Sequence, residues 1–520
     1  MGTRGLVSVM CGFAVFVAAY VVGSSGVKAA SGAVDWPGYN NDPGANRFAA
    51  ISLITKANVG GLHVVCTASL GKVTRFETGP IVVGGVLYAT TPTQTYAFNG
   101  STCAQLWVNT YVPSKKGGAA NRGVAYANGM LFRGFADGHV IAISAANGQT
   151  VWNQNIVASG SYEYLSGAPV AWGSGVFIGT ADGDNGQICH VVGLDQATGT
   201  ILWSQQTVPN PGQPEAKKTW KGATHIAGGA SWTSLTIDTA TGKLYAPVGN
   251  PGPDFDIRLR KGANLNTNSI LEFDSARGTL LRTIQLVPND YHDWDQSAAP
   301  ALATLPGGRK LLLAAGKDGM FRGVDLATLK VLWATADTTI SNASAPIVPG
   351  GTHFCPGGAV FWNGPSYSPS SGLAYVNSVD WCKTVHLSPQ PQPYPANGGA
   401  WLGSSDGYGE HDPTNSGWLT AVDAQTGAVS WTYHAATPLL AGVTSTAGGL
   451  VFSGDLKGNL YAFDDASGSL LKTVPVGPAI GGGIVSYETG GKQYVAVAAG
   501  FVSPDWQTPQ ADSSIVLLGL

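Results

Sequence analysis

Gly193-Leu194-Asp195-Gln196-Ala197-Thr198-Gly199, closing on Trp203, is the stretch that decides the fold, because the chain repeats it. The phrase runs apolar residue, Asp or small polar residue, turn ending in Gly, then an apolar run closing on Trp. Ala142-Ile143-Ser144-Ala145-Ala146-Asn147-Gly148 closes on Trp152, and Ala421-Val422-Asp423-Ala424-Gln425-Thr426-Gly427 closes on Trp431. Weaker copies end at Trp107, Arg282, Trp333 and Lys472. The closing residues are 45 residues apart from 107 to 152, 51 from 152 to 203, 51 from 282 to 333, and 41 from 431 to 472. Units of roughly 40–50 residues match one four-stranded propeller blade. Each phrase reads as a strand, a turn whose Gly accepts positive φ, and a second strand. The closing Trp is expected to pack between neighbouring blades.

The sequence therefore predicts an all-β, eight-bladed β-propeller with four-stranded blades. Seven copies of the phrase are joined by one degenerate unit expected around Leu373 to Val379. The longer intervals, 79 residues from 203 to 282 and 98 from 333 to 431, leave room for an extended or missing unit. A β-sandwich or a long solenoid is the alternative architecture. Composition agrees with many short strands joined by tight turns: 520 residues carry 72 Gly and 15 Trp, with 44% hydrophobic and 11% charged residues. A net charge of -3 offers no basic stripe and argues against a nucleic-acid partner. The Pro-rich stretch Pro389 to Pro395 and the charged loop holding Glu215, Lys217 and Lys218 read as insertions between blades. Such loops gather on one face of a toroid, where binding sites are built.

The first thirty residues read as a secretory signal. Arg4 supplies the positive start, Leu6 to Val22 the apolar stretch, and Val27-Lys28-Ala29 the small residues before a cleavage site after Ala29 or Ala30. The alternative is an uncleaved anchor helix, since the run is near the ~17-residue lower limit for spanning a bilayer. Processing at that site leaves residues 30–520 as the propeller domain, with no membrane span, in the periplasm or outside the cell. Five cysteines follow the signal: Cys66, Cys103, Cys189, Cys355 and Cys382. An oxidising compartment permits disulfides, and an odd count leaves one thiol over. No Cys-x-x-Cys-His motif is present for covalent haem.

Repetition builds a scaffold; the residues that break it carry the chemistry. Trp232, in Gly228-Gly229-Ala230-Ser231-Trp232, lies outside the closing-Trp position, as does His292-Asp293-Trp294-Asp295. Asn250 follows a strand in Val248-Gly249-Asn250-Pro251-Gly252. A Trp face beside hard oxygen ligands suits a planar, carboxylate-bearing cofactor held with a divalent metal. Each residue also has a plain structural reading: a Trp packs, an Asp forms a turn, and Arg, Lys or Glu is a solvated charge.

The chain resembles the pyrroloquinoline quinone (PQQ)-dependent alcohol dehydrogenases over essentially its whole length after the signal. The resemblance begins at Asp35-Trp36-Pro37-Gly38-Tyr39 and Asn46-Arg47-Phe48. It ends at Thr446-Ala447-Gly448-Gly449-Leu450-Val451-Phe452 and Gly491-Lys492-Gln493-Tyr494-Val495-Ala496-Val497. It implies oxidation of a small or polymeric alcohol, with PQQ and Ca²⁺ as cofactors and a separate electron acceptor such as a cytochrome c. It implies that Glu77, Arg122 and Ser166 contact the quinone's carboxylates. Trp232 is implied as the platform under the quinone, and Lys317 as the cation reaching its reactive oxygen. Asp295 is implied as catalytic base and metal ligand, with Asp293 as the alternative base. Asn250 and Asp184 complete the metal set, with Asp182 as the alternative to Asp184. The resemblance also implies a Cys355–Cys382 disulfide across the degenerate blade; Cys66–Cys103 is the second pairing, which leaves Cys189 free.

The chain departs from the family pattern in several places. Asp stands at 184 where the family has Glu. The catalytic motif is one residue shorter than His-Asp-x-Trp-Asp. Lys116-Gly117 lies where many members carry adjacent cysteines, and Ala230 replaces a hydroxyl residue. Ser297 stands where lanthanide-using members add an Asp, so Ca²⁺ is the expected metal. The missing adjacent cysteines, the short catalytic motif and the absent haem domain resemble the polyvinyl-alcohol or secondary-alcohol branch more than the methanol enzymes. Two other functions compete: a non-catalytic periplasmic propeller of the outer-membrane-assembly type, and a sugar or polyol oxidase using another cofactor. The second lacks a Gly-x-Gly-x-x-Gly after a strand for NAD or flavin.

Overall fold

In the computed structural model, residues 1–2, 34–114, 120–396 and 398–520 are described. The signal sequence and Lys116-Gly117 lie outside them. The repeat phrase forms the third and fourth strands of a blade. In the copy closing on Trp203, His190–Asp195 turns into Ile201–Gln206, and the register shifts between Gly193 and Leu194. The same irregularity recurs in blades 1 (81–110), 2 (125–155), 4 (236–285), 5 (301–336), 6 (366–435) and 7 (444–475). Such a bulge re-aims the side chain beside it, and that side chain is the closing residue. Trp107, Trp152, Trp203, Trp333 and Trp431 pair with Ala97, Ala142, Gly193, Gly323 and Ala421. Small partners leave room for the indole to lean outward.

It leans onto the next blade. Trp107 Nε1 donates to the Ala145 carbonyl (3.1 Å) and Trp152 Nε1 to Gln196 (2.8 Å). Trp203, Trp333 and Trp431 bond Ser275, Ala424 and Asp465 in the same way. Each acceptor lies three residues before a turn glycine at positive φ, such as Gly148 or Gly199 (φ 74° in both). A Cβ on Gly148 would sit 2.6 Å from the Trp107 ring, so the glycine is required both by φ and by the docked indole.

Among the described residues, eight sheets of four or more strands follow one another, and hydrophobic clusters join each to the next. The last joins the first: Val485, Tyr487 and Ala496 pack with Val82, Leu87 and Phe98. The ring is therefore closed, and no blade exposes a full apolar face. The expected position of the eighth unit is corrected. Leu373–Asp380 is the second strand of blade 6, paired with Ser416–Asp423 and so with the Trp431 phrase. Blade 8 is Ile480–Thr489, Lys492–Ala499 and Ser514–Gly519, completed by the N-terminal strand His63–Ser69. Cys66, on that strand, is bonded to Cys103 of blade 1 and fastens the ring closure; Cys189 is free and buried.

The 98-residue interval holds the first three strands of blade 6 together with an extension before and between them. It contains a small sheet of Thr352–Phe354, Lys383–Val385 and Glu410–His411. The Cys355–Cys382 bond forms as expected, but it pins this small sheet instead of crossing a degenerate blade.

Candidate active site

Successive blades present the same position to the ring axis. Four residues before the innermost strand of blades 1, 3, 4, 5, 6 and 7 stand Glu77, Ser166, Trp232, Ser297, Trp362 and Leu440. Backbone bonds link these entry segments from blade to blade: Gly79 N to Arg122 O (2.8 Å), Arg122 N to Ser166 O (3.0 Å) and Gly483 N to Thr78 O (2.8 Å). The second strand of a blade ends where the first begins, because the two are antiparallel. Residues just beyond second strands therefore reach the same face: Asp184 in blade 3, Asn250 in blade 4, Lys317 in blade 5.

There they line a cavity of about 830 Å³, with Arg122, Trp232 and Asp295 also in its wall. Glu77 and Ser166 stand behind that wall. Glu77 is fully buried and pairs with Arg122 at 2.6 Å. Ser166 Oγ donates to the Trp232 carbonyl at 2.9 Å, and Arg122 Nη1 to the same oxygen at 3.1 Å. The guanidinium also lies 4.7 Å from the Trp232 ring centroid and 5.4 Å from that of Trp362. Two ion-pair and hydrogen-bond anchors with two aromatic faces leave Arg122 no freedom to collapse into the cavity.

Asp295 is held from three sides. Its Oδ1 accepts from the Asn250 backbone at 2.7 Å; its Oδ2 meets Lys317 Nζ at 2.7 Å and accepts from Trp232 Nε1 at 3.2 Å. The approach requires glycine at 249, where a Cβ would lie 2.1 Å from Oδ1. Asp293, at φ 63°, bonds the same Lys317 nitrogen at 2.9 Å. Between the two acids, Trp294 turns away into a cluster with Phe354 and stacks on His292 at 4.2 Å. Asp295 reaches the cavity wall; Asp293 stands behind Lys317.

The site is strongly acidic. Burial, then repulsion from Asp293 and Asp295, pushes the Asp184 carboxyl up to about 7. Burial also raises Asp295, which Lys317 opposes. Burial alone would lower the Lys317 ammonium, but Asp293, Asp295 and Asp184 hold it well above the ordinary lysine value. Asp182 is also in the wall, yet its Oδ1 is engaged by Asn185 Nδ2 at 2.5 Å.

Several further residues converge on the site. Asp254 is fully buried, and neither carboxylate oxygen has a hydrogen-bond partner among the described residues. Burial and the charges of Asp184 and Asp293 push it well above the carboxylate range. Lys383, on the disulfide-pinned sheet, lies 4.0 Å from Asp293 and is lowered by burial. Arg75, Tyr162, Tyr164 and Tyr408 also line the cavity. The only sequence signals were Lys383 beside Cys382 and the strand-following run Asn250-Pro251-Gly252-Pro253-Asp254. The charged loop at 215–218 lies elsewhere: it begins the short helix Pro214–Thr219, and Glu215 lines a different cavity.

This donor set fits PQQ and a hard divalent cation. Arg122, Lys317 and Arg75 offer positive charge to carboxylates, and half-buried Trp232 offers an aromatic face. Asp184, Asn250 and Asp295 offer hard oxygens to the cavity. Mutual repulsion of buried carboxylates is the strain that a divalent cation relieves. Ser297 adds no ligand, because its Oγ donates to the Val360 carbonyl at 2.6 Å.

A family model described as "Glucose/ethanol/alcohol dehydrogenase, beta-propeller domain" matches residues 36–346. Residues 415–518 match a second model, described as "Outer membrane protein assembly factor BamB". The quinohemoprotein alcohol dehydrogenase ADH-IIG of Pseudomonas putida is 30% identical over 88% of this chain and 71% of its own. The 1-butanol dehydrogenase (cytochrome c) of Thauera butanivorans is 29% identical over 90% of this chain and 74% of its own. The crystal structure of the Comamonas testosteroni quinohemoprotein alcohol dehydrogenase superposes with a TM-score of 0.85 at 25% identity, over 93% of this chain and 80% of that one.

Proposed function

The chain belongs to the PQQ-dependent alcohol dehydrogenase family, and from that premise we propose that it oxidises an alcohol to the aldehyde or ketone on PQQ held beside Ca²⁺. The observation that carries this reading is the convergence of Arg122, Trp232, Asn250, Asp184, Asp295 and Lys317 on one cavity. Bound there, PQQ supplies the two-electron acceptor and Ca²⁺ the Lewis acid. The protein binds, orients and moves a proton. Arg122 and Trp232 hold the cofactor's acidic groups and plane, with Glu77 and Ser166 fixing the two residues that do so. Asp184 and Asn250 hold the cation with Asp295. Asp295 is the base: the Asn250 backbone holds Oδ1, Lys317 and Trp232 Nε1 hold Oδ2 in the cavity wall, and Oδ2 takes the alcohol proton. Lys317 keeps that oxygen anionic beforehand and stays paired with Asp293 afterwards.

The substrate is a small or polymeric alcohol. Electrons pass to a separate acceptor such as a cytochrome c, the acceptor named for the Thauera relative. The signal-like N-terminus and two disulfides support export to the periplasm, and no helix among the described residues is long and apolar enough to cross a membrane. The test is reconstitution of the purified protein with PQQ and Ca²⁺, followed by dye-linked oxidation of an alcohol panel. Turnover that needs both additions is expected. No quinone binding and no turnover would return weight to an assembly-scaffold role, which the match over 415–518 favours. Higher activity with La³⁺ than with Ca²⁺ would overturn the metal assignment.

A further inference from the structure

Asp184 is an Asp at a position where the resemblance leads one to expect Glu, and it is one methylene short of that reach. Its side chain is bonded by a residue far away in sequence. Tyr408 Oη donates to Asp184 Oδ2 at 2.9 Å, and the Trp401 backbone N donates to the Asp184 carbonyl at 2.7 Å. Both donors lie on one strap of the blade 6 extension. The strap is fitted to the site wall by its backbone: Phe255 N donates to Leu402 O at 2.8 Å, and a Cβ on Gly403 would lie 2.6 Å from Asp256 Cβ. It then runs into Glu410–His411, paired with Lys383–Val385 on the disulfide-pinned sheet. The Tyr408 residue is 45% exposed, although its hydroxyl is committed to Asp184. The exposed ring is tied by its hydroxyl to the half-buried Asp184 carboxylate.

We propose that Tyr408 is a positioning residue for the cation: it orients Asp184, and the 401–408 strap and the metal site stabilise each other. This rests on the assignment of Asp184 as a metal ligand. A ligating carboxylate is fixed by its own hydrogen-bond partner, and loss of such a partner typically weakens metal affinity ~10- to 100-fold. A phenol donor suits this role because it binds the ionised carboxylate without adding charge, leaving the second oxygen for the cation. The coupling is reciprocal: if docking of the strap strengthens cation binding, the cation must strengthen docking by the same factor.

Calcium titration of the full-length apo-protein by calorimetry, combined with hydrogen exchange over residues 401–408, tests the proposal. The unmodified protein should show slower exchange in this strap when Ca²⁺ is added, a measurement that needs no variant. Tyr408→Phe should weaken Ca²⁺ binding about tenfold and lose the Ca²⁺-dependent protection, with the unfolding temperature of the apo-protein unchanged. Asp184→Asn should remove Ca²⁺ binding. If Asp184→Asn abolishes binding but Tyr408→Phe binds like the unmodified protein and the strap exchanges identically with and without Ca²⁺, the strap proposal is wrong and the metal assignment stands. If Asp184→Asn binds Ca²⁺ normally, the metal assignment itself fails.

Discussion

Blades 1 to 5 and blades 7 and 8 are built from the same parts and meet the axis in opposite ways. At the axial position the first group presents Glu77, Ser166 and Trp232, with Arg122 one residue past it. The second group presents Leu440, followed by Ala441-Gly442, and the run Gly481-Gly482-Gly483. The bulge recurs in blade 7, whose turn receives Trp431 from blade 6, and backbone bonds link blade 8 to blade 1, although neither blade 7 nor blade 8 carries a closing Trp. The scaffold therefore accepts both charged and apolar residues at that position, and most residues of the proposed cofactor site lie in one arc of the ring. The match to the dehydrogenase model over 36–346 and to the assembly-factor model over 415–518 follows the same division.

The comparison breaks most visibly at Asp295. Asp295→Asn keeps size and hydrogen-bonding shape but cannot take the proton. We expect kcat to fall ~10²- to 10⁴-fold while bound quinone, read by its absorbance, is retained. Asp293→Asn, behind Lys317, should cost much less; the reverse order would make Asp293 the base.

Arg122→Leu should abolish PQQ binding and also lower stability, because it leaves the fully buried Glu77 with only Arg75, 3.9 Å away. Leaving one partner of a buried pair typically costs about 3–5 kcal/mol, readable in denaturant unfolding. The double change with Glu77→Gln should recover stability but not quinone binding.

Calcium affinity should depend on pH. Asp184 sits near 7 in the metal-free fold, above its ordinary value, so folding favours its protonated form. The stability that this adds is lost as pH rises toward 7. A cation must displace that proton. Its affinity should therefore climb up to about tenfold per pH unit below 7 and level off above, as titrations at several pH values would reveal. Asp184→Asn should show no Ca²⁺ binding at any of these pH values.

The smallest functional effect belongs to the silent arc. Leu460→Ala, on blade 7, removes a buried side chain and should cost about 2–5 kcal/mol of stability, with kcat and quinone affinity unchanged at temperatures where the variant is folded. A loss of quinone affinity there would show that the division between the arcs is false.

What the sequence revealed, and what it hid, follows the same logic. The Gly-to-Trp phrase was legible because each copy is local: turn glycine, bulge and indole lie within a dozen residues, and the partner glycine recurs in the next copy. Blade 8 was misplaced because it has no closing Trp and is completed by His63–Ser69, more than 400 residues away in the chain. The strand at Leu373 was mistaken for a separate unit because the blade 6 extension separates it from its own Trp431. At the site, Trp232, Asn250 and Asp295 stood out by breaking the repeat. Asp254, Lys383 and Tyr408 did not, since they arrive on insertions whose paths no periodicity sets. The resemblance paired Cys355 with Cys382 correctly, but gave no hint that the bond anchors the strap over Asp184.

The central claim is that one arc of the ring holds PQQ. Calorimetric titration of PQQ, with Ca²⁺ present, into the purified protein and into Trp232→Ala tests it most directly. We expect one saturable site per chain in the unmodified protein, and binding weakened by about 1–3 kcal/mol when the aromatic platform is removed. Saturable binding unaffected by Trp232→Ala, or no binding at all, would contradict the account.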